Sequence, residues 1–140
     1  MRNESLITAK ILVILEKSDG GYWATVKDLP GCYSFGETLE RALANTREAI
    51  TEHISDLEET GEKIPEIFKT NYEILIQYDL QTLFEAFNFI NKTAFAAFAG
   101  INPSLLRQYS KGIAFASDKQ KAKINDALCS ISRSLENACI

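Results

Sequence analysis

The sequence has few cysteines, a single histidine and no long apolar run. Its three cysteines, Cys32, Cys129 and Cys139, are far apart and form no C-x-x-C pair. An odd number of scattered thiols argues against a disulfide framework, and only His53 could join them on a metal ion. The apolar stretch at residues 11–15 is too short for a signal-peptide core or a membrane span. We therefore expect a cytoplasmic protein with reduced thiols, no membrane association and no metal or other cofactor.

Charge is distributed unevenly along the chain. The 140 residues are 46% hydrophobic and 24% charged, which is typical of a soluble globular protein with one ordinary domain or two small ones. Residues 1–80 carry eight basic and fifteen acidic side chains, a net charge of −7, whereas residues 81–140 carry seven and four, a net charge of +3. A basic half can approach phosphate and an acidic half can approach a basic protein. Such an imbalance is also common by chance in small domains, so charge alone does not decide the function.

The first half of the chain begins with three predicted β-strands. Residues 6–16 are apolar at both odd and even positions, which is typical of a strand that is central in its sheet and covered on both faces. Residues 18–21, Ser-Asp-Gly-Gly, predict a hairpin turn because glycine readily takes the positive φ that tight turns need. A second strand is predicted at residues 22–27, and a short third strand at residues 32–35.

A long amphipathic helix follows the third strand. Thr38 is suited to cap its N-terminus, and Gly61 is suited to end it in the left-handed conformation. Between them, mostly apolar side chains recur every three or four residues and form one stripe: Leu39, Ala42, Leu43, Thr46, Ala49, Ile50, Ile54 and Leu57. Residues 72–78 then alternate, which predicts a fourth strand. The predicted first unit is therefore β-β-β-α-β, with a helix packed on one face of a mostly antiparallel sheet.

The second half changes character near residues 79–81. There the β-branched alternation stops, and Ala, Phe, Leu and Lys dominate at helical spacing. We therefore divide the chain into domains 1–79 and 80–140 and assign the α+β class. The second domain is predicted to be all α, with helices at residues 83–90, 92–99, 103–110 and 122–135.

Residues 92–111 resemble the helix-turn-helix motif. Two helices that cross steeply need a small residue where they touch, which Ala96 supplies, and a turn with positive φ, which Gly100 supplies. Asn102 is suited to cap the second helix, with Pro103 at its first position. The space between the helices would be filled by Phe95, Ala99, Ile101, Leu106 and Tyr109. An αα-hairpin in an ordinary helical bundle would show the same apolar pattern.

The exposed face of the second motif helix favours DNA binding over that alternative. Its side chains are polar and include no acid, and we predict that they contact DNA: Asn102, Ser104, Arg107, Gln108 and Lys111. Gln and Asn can pair with adenine edges and Arg with guanine. A carboxylate on this face would repel phosphate, so the lack of one is consistent with a DNA contact.

Residues 20–50 resemble the HicB antitoxin family. The resemblance rests on D-L-P-G-C, G-E-T and a helical A-L…A-I pattern, together with E-K-I-P-E at residues 62–66, and it covers about residues 6–78. It implies a partial RNase H-like fold and a partner, the small basic RNase toxin HicA, whose catalytic histidine the antitoxin blocks. Many members also carry a DNA-binding domain. The chain departs from the family at Lys27, where proline is common, and in its helix-turn-helix, where other members carry a ribbon-helix-helix.

An RNase H-like fold raises the question of nuclease activity, because such enzymes need several carboxylates that converge on two Mg²⁺ ions. Asp19 and Asp28 fall in a turn and a loop, and Glu48 and Glu52 lie one helical turn apart, opposite the apolar stripe. These acids are interpreted as a solvated face, so we expect no enzymatic activity. Trp23 is expected in the core.

The preferred interpretation is the antitoxin of a type II toxin-antitoxin system, which masks a HicA-like mRNA-cleaving toxin and represses its own operon by binding operator double-stranded DNA. The toxin contact is expected on the acidic domain at Asp28, Tyr33 and Phe35, with the aromatic rings as buried anchors. A homodimer or higher homo-oligomer is expected, because such motifs usually read paired half-sites. The alternatives are a transcription regulator whose first domain senses a ligand or dimerises, and a metal-dependent nuclease.

Overall fold

The computed structural model describes residues 9–140. The chain divides between Asp79 and Leu80 into two compact units. The first unit combines a β-sheet with one long helix, and the second is helical throughout. This architecture confirms the predicted α+β class.

The first unit has the predicted order of elements. Its elements are β1 Ala9–Ser18, β2 Gly21–Val26, β3 Tyr33–Gly36, α1 Leu39–Thr60, a short 3₁₀ helix Glu66–Lys69 and β4 Tyr72–Gln77. The sheet order is β3-β2-β1-β4, with β1 antiparallel to β2 and parallel to β4. β1 is therefore an interior strand, as predicted. The predicted strand began earlier, and residues 6–8 lie outside the described residues.

The ends of α1 follow from its capping residues. Thr38 Oγ1 accepts a hydrogen bond of 3.1 Å from the backbone N–H of Arg41, which satisfies one of the donors left open at a helix start. Gly61 ends the helix at φ 72°, a conformation that glycine adopts without a Cβ penalty. Both predicted caps are confirmed.

Helix α1 is attached to β3 by polar contacts. Asn45 Nδ2 donates a 2.7 Å hydrogen bond to the carbonyl of Phe35, and Ser34 Oγ lies 2.7 Å from the buried Thr46 Oγ1. At the start of the helix, a Cβ added to Gly36 would clash with the backbone nitrogen of Ala42. Only glycine allows the strand to approach the helix this closely. These contacts fix the position of β3 against the helix.

The core of the first unit lies between α1 and one face of the sheet. Fully buried members include Ile11, Val13 and Val26 from the strands and Ile50 from the helix. The prediction that β1 is covered on both faces was wrong. Leu12 and Ile14, on the opposite face, are only partly buried and lie outside the core cluster.

The second unit contains four helices. They are α2 Leu80–Ala86, α3 Lys92–Ala99, α4 Pro103–Ser110 and α5 Asp118–Glu136. Helices α3 and α4 have the predicted bounds, whereas α2 begins and ends earlier than predicted. The chain turns after Ala86, and Asn91 then caps α3 by accepting a 3.0 Å hydrogen bond from Ala94 N–H. Helix α5 begins before its predicted start because Ser117 Oγ caps it by accepting from Gln120 N–H.

The core of the second unit joins α2, α3, α4 and α5. Phe84 packs edge-on against Phe95 with ring centroids 5.7 Å apart. The buried apolar side chains are Leu83, Phe84, Phe95, Ala96, Ile101, Leu106, Tyr109, Ile124 and Ala127. Phe87, which follows the last residue of α2, is 36% exposed. Along α5 the burial fades from Ile124 to Leu135, which is 68% exposed.

Candidate nucleic-acid interface and protein-binding face

The turn between α3 and α4 has the geometry expected from its sequence. Ala96 is fully buried, so the two helices can approach closely at this position. Gly100 adopts φ 75° and ends α3. The N–H of Ile101 then donates a 2.9 Å hydrogen bond to the carbonyl of Ala96. The turn is therefore fixed by hydrogen bonds to the helix that precedes it.

Helix α4 separates an apolar inner face from a polar outer face. Leu106 and Tyr109 are buried, while Ser104, Arg107 and Gln108 are exposed on the other side. The five side chains predicted to contact DNA are exposed: Asn102, Ser104, Arg107, Gln108 and Lys111. They extend from the N-cap of α4 to its C-cap.

Asn102 differs from the other four because part of its side chain is already engaged. Its Oδ1 accepts hydrogen bonds from Ser104 N–H at 2.9 Å and from Leu105 N–H at 3.3 Å. The carbonyl oxygen is therefore used to cap α4. Any contact with a base or phosphate would use the amide NH₂ group of Asn102.

Arg107 contacts a residue that was not among those predicted from the sequence. Its Nη1 donates a 3.1 Å hydrogen bond to Oγ1 of Thr93, in the first turn of α3. The contact joins two exposed side chains on successive helices. No periodicity along one helix predicts it, because it depends on how the two helices cross.

The electrostatics of the α3–α4 pair favour an anionic partner. Residues 92–111 contain Lys92, Arg107 and Lys111 and no acidic residue. Lys123, from α5, donates a 3.4 Å hydrogen bond from Nζ to the carbonyl of Gly100, where a cation offsets the negative end of the α3 dipole. The surface is therefore positive.

One face of the sheet in the first unit is not packed by α1. Side chains alternate across the strands, and the face opposite the core presents Leu12, Ile14, Trp23, Thr25, Tyr33, Phe35 and Leu75. We call this the open sheet face. None of these side chains belongs to the core cluster, and Tyr33 and Leu75 are 62% and 50% exposed.

Three rings form an aromatic cluster on the open sheet face. Trp23 lies between Tyr33 and Phe35, with ring centroids 6.1 Å and 5.1 Å apart. The expectation that Trp23 is a core residue was wrong, because it is 44% exposed. The small neighbours Ala24 and Val26 face the core, so the alternation of β2 turns Trp23 outward. Tyr33 and Phe35 thus lie together, as an anchor site requires.

Asp28 lies in the loop that joins β2 to β3. This loop is held by hydrogen bonds from Val26 N–H to Cys32 O and from Cys32 N–H to Leu29 O, both 3.0 Å. Leu29 and Cys32 are buried, whereas Asp28 is exposed. Burial raises the pKa of the Cys32 thiol. Asp28 is thus presented to solvent on a well-fixed loop.

The acidic side chains of the described chain are dispersed. Within residues 9–140, no three His, Cys, Asp or Glu side chains are grouped so that they could hold a metal ion. Glu48 and Glu52 line a shallow groove on the outer surface of α1, beside Arg47 and Thr51. No helix among these residues has both the length and the apolar character to cross a membrane.

Comparison with known proteins concerns mainly the first unit. A family model described as "HicB_like antitoxin of bacterial toxin-antitoxin system" matches residues 11–81. An uncharacterized 14.9 kDa protein of Haemophilus phage HP1 is 43% identical over 53 residues, which cover 38% of this chain and 40% of that protein. A UPF0150 protein of Thermoplasma acidophilum is 44% identical over 57 residues, which cover 40% of this chain and 83% of the relative.

A solved structure is also similar to the chain. The crystal structure of the antitoxin HicB of Burkholderia pseudomallei aligns with 71% of this chain and 95% of its own length, at 27% identity and a TM-score of 0.34.

Proposed function

The chain belongs to the HicB_like antitoxin family, and from this premise we propose that it masks a HicA-like toxin with its first unit and binds operator DNA with its second. One observation carries the proposal. An acidic unit that matches the family is joined in one polypeptide to a basic helical unit whose helix α4 has an exposed polar face without acidic residues. The negative charge of the first unit suits a basic protein, and the positive charge of the second unit suits a polyanion.

The DNA contact is proposed for the outer face of α4. Ser104, Arg107 and Gln108 would reach base edges in the major groove, and Asn102 would contribute its amide group. Lys111, at the end of the helix, would bind a backbone phosphate. Base contacts discriminate sequence, whereas the phosphate contact adds affinity and position. Bound at its operator, the protein would repress its own operon.

The toxin contact is proposed for the first unit, with Asp28, Tyr33 and Phe35 as its members. The carboxylate of Asp28 would attract a basic partner, and exposed charges of this kind chiefly set association rate and salt dependence. Tyr33 and Phe35 would supply most of the affinity, since a few desolvated aromatic side chains usually carry most of the binding energy. No catalytic role is proposed for the acids of this unit.

A second copy of the chain is proposed to pack against α5. Leu128 and Ile131 are half-buried and Leu135 is 68% exposed, so the apolar stripe continues beyond the core of its own unit. A two-fold dimer would present two α4 helices to two half-sites of the operator.

Two measurements test the proposed function. If a short basic reading frame lies beside the gene, the chain should co-purify with its product, produced with the catalytic histidine replaced. It should also shift a DNA fragment from its own promoter in a gel. Binding of DNA without any toxin partner would reduce the proposal to a transcription regulator. Failure of the wild-type chain in both assays would overturn it.

A further inference from the structure

The open sheet face carries an inference that rests on the proposed function and extends it. We propose that the aromatic cluster and the neighbouring carboxylate of Glu16 bind an arginine or lysine side chain of the basic toxin. The open sheet face would then be the docking surface for that partner, with Trp23, which the toxin contact above did not include, at its centre.

The first support is the exposed apolar surface. Trp23, Tyr33 and Leu75 are 44%, 62% and 50% exposed, and they belong to three different strands of one sheet. Large apolar side chains that share one exposed face usually mark an interaction site. Tryptophan and tyrosine are also the residues most enriched among those that dominate binding energy.

The second support is the position of Glu16. It is the direct partner of Trp23 in the β1–β2 ladder, and partners in a ladder project to the same face with Cβ atoms about 5 Å apart. Glu16 is exposed, and its side chain projects from the open sheet face at the position next to Trp23. A guanidinium or ammonium group stacked on the ring would meet the negative π face and the carboxylate together.

Charge decides between a basic partner and a second copy of the chain. On the outward side of the strands the charged residues are Lys10, Glu16 and Glu73, and Lys27 continues this side just beyond β2, where its N–H bonds Leu12 O, so the charge of the whole unit decides. The first half of the chain carries a net charge of −7. Two units of this charge pressed together would repel each other, whereas a cationic surface would be attracted.

The experiment uses the 140-residue chain and the product of the adjacent short basic reading frame, with its catalytic histidine replaced. Affinity is measured by calorimetry at two salt concentrations. We expect Trp23→Ala to raise Kd by about 30-fold or more, and Trp23→Phe to recover part of the loss. Glu16→Gln should raise Kd by about threefold to tenfold and weaken the salt dependence.

Matched controls separate this effect from general damage. Phe115→Ala removes a side chain that is 92% exposed in the other unit, and Glu59→Gln removes an exposed acid of α1. Both should leave Kd within about twofold of the wild type, because substitutions outside an interface are close to neutral. Thermal melts followed by circular dichroism show whether each variant is folded.

The possible outcomes are distinct. If no such reading frame exists, or if its product does not bind the wild-type chain, the toxin-masking function fails and the proposed docking surface with it. If the wild type binds and folded Trp23→Ala and Glu16→Gln bind equally well, only the docking surface is wrong. A change of oligomeric state in Trp23→Ala with unchanged toxin binding would assign the face to a second copy, and would also overturn the docking surface.

Discussion

Arg107 Nη1 and Thr93 Oγ1 are joined by a 3.1 Å hydrogen bond. The bond links the outer face of α4 to the first turn of α3. Arginine has several rotatable bonds, and a second contact reduces the number of conformations that it samples before it meets DNA. Thr93 therefore acts as a positioning residue for Arg107 in the proposed DNA complex.

We expect Thr93→Val to weaken operator binding by about 0.5–1.5 kcal/mol, the usual contribution of one hydrogen bond. Thr93→Ser keeps the hydroxyl and should bind like the wild type. Thr51→Val is a matched control, because it removes an exposed threonine hydroxyl that bonds the carbonyl of Arg47 on α1. Gel-shift titrations on the promoter fragment measure the difference. Equal loss in Thr93→Ser and Thr93→Val would contradict a role for the hydroxyl.

Gln108 and Lys111 should differ in how they affect DNA binding. Gln108→Ala is expected to cost about 1–3 kcal/mol on the cognate operator and to relax the preference at one base step. Lys111→Ala should weaken all sequences alike and lower the slope of log K against log salt by about one unit. Titrations at two salt concentrations, on operator and scrambled DNA, measure both effects. If neither substitution changes the affinity for DNA that the wild type binds, α4 does not lie in the interface.

The exposed end of α5 should control self-association. Leu135→Asp places a charge on the apolar stripe, and we expect it to convert a dimer into a monomer because burial of an unpaired charge is costly. Ser130→Asp adds the same charge to the opposite side of the helix and should leave the dimer intact. Sedimentation at tens of micromolar protein measures the oligomeric state. A wild-type chain that is monomeric under these conditions would rule out this interface.

The three cysteines should divide into two classes of reactivity. Cys129 and Cys139 are exposed, whereas Cys32 is buried and its pKa is raised by desolvation. The thiolate is the reactive form, so a disulfide reagent should modify two thiols in the native protein and the third only on unfolding.

Because the pKa of Cys32 is higher in the folded state, its contribution to stability is present below the unfolded pKa and declines as the pH rises through the folded pKa. Thermal melts of the wild type and of Cys32→Ala at alkaline pH test the direction of this pH dependence of stability.

The purified chain is expected to lack nuclease activity with Mg²⁺ or Mn²⁺. Two-metal hydrolysis needs carboxylates that converge within a few ångströms of both ions, and Asp19 and Asp28 lie at opposite ends of β2. Labelled RNA and DNA should remain intact over long incubation. Cleavage that depends on the metal and is lost in Asp19→Asn or Asp28→Asn would overturn this expectation.

The sequence alone predicts most of the fold because caps and alternation are local signals. Thr38, Gly61 and Gly100 mark helix ends in both sequence and structure. Alternation puts Trp23 on the side opposite Ala24 and Val26, but which of these two sides faces the core depends on the register of β2 with its neighbours. The partnership of Thr93 with Arg107 likewise depends on the crossing of two helices. Ser117 did carry a capping signal, which the apolar pattern of α5 obscured.

The position of β4 in the chain determines the order in which the protein becomes functional during synthesis. β1 is made first but obtains its parallel neighbour only when Tyr72–Gln77 has been translated. All four strands and α1 are then available before any residue of Leu80–Ile140. Domains generally fold as they leave the ribosome, the N-terminal one first. Under the proposed division of roles, the toxin-binding half of a nascent chain can fold before its repressor half is complete.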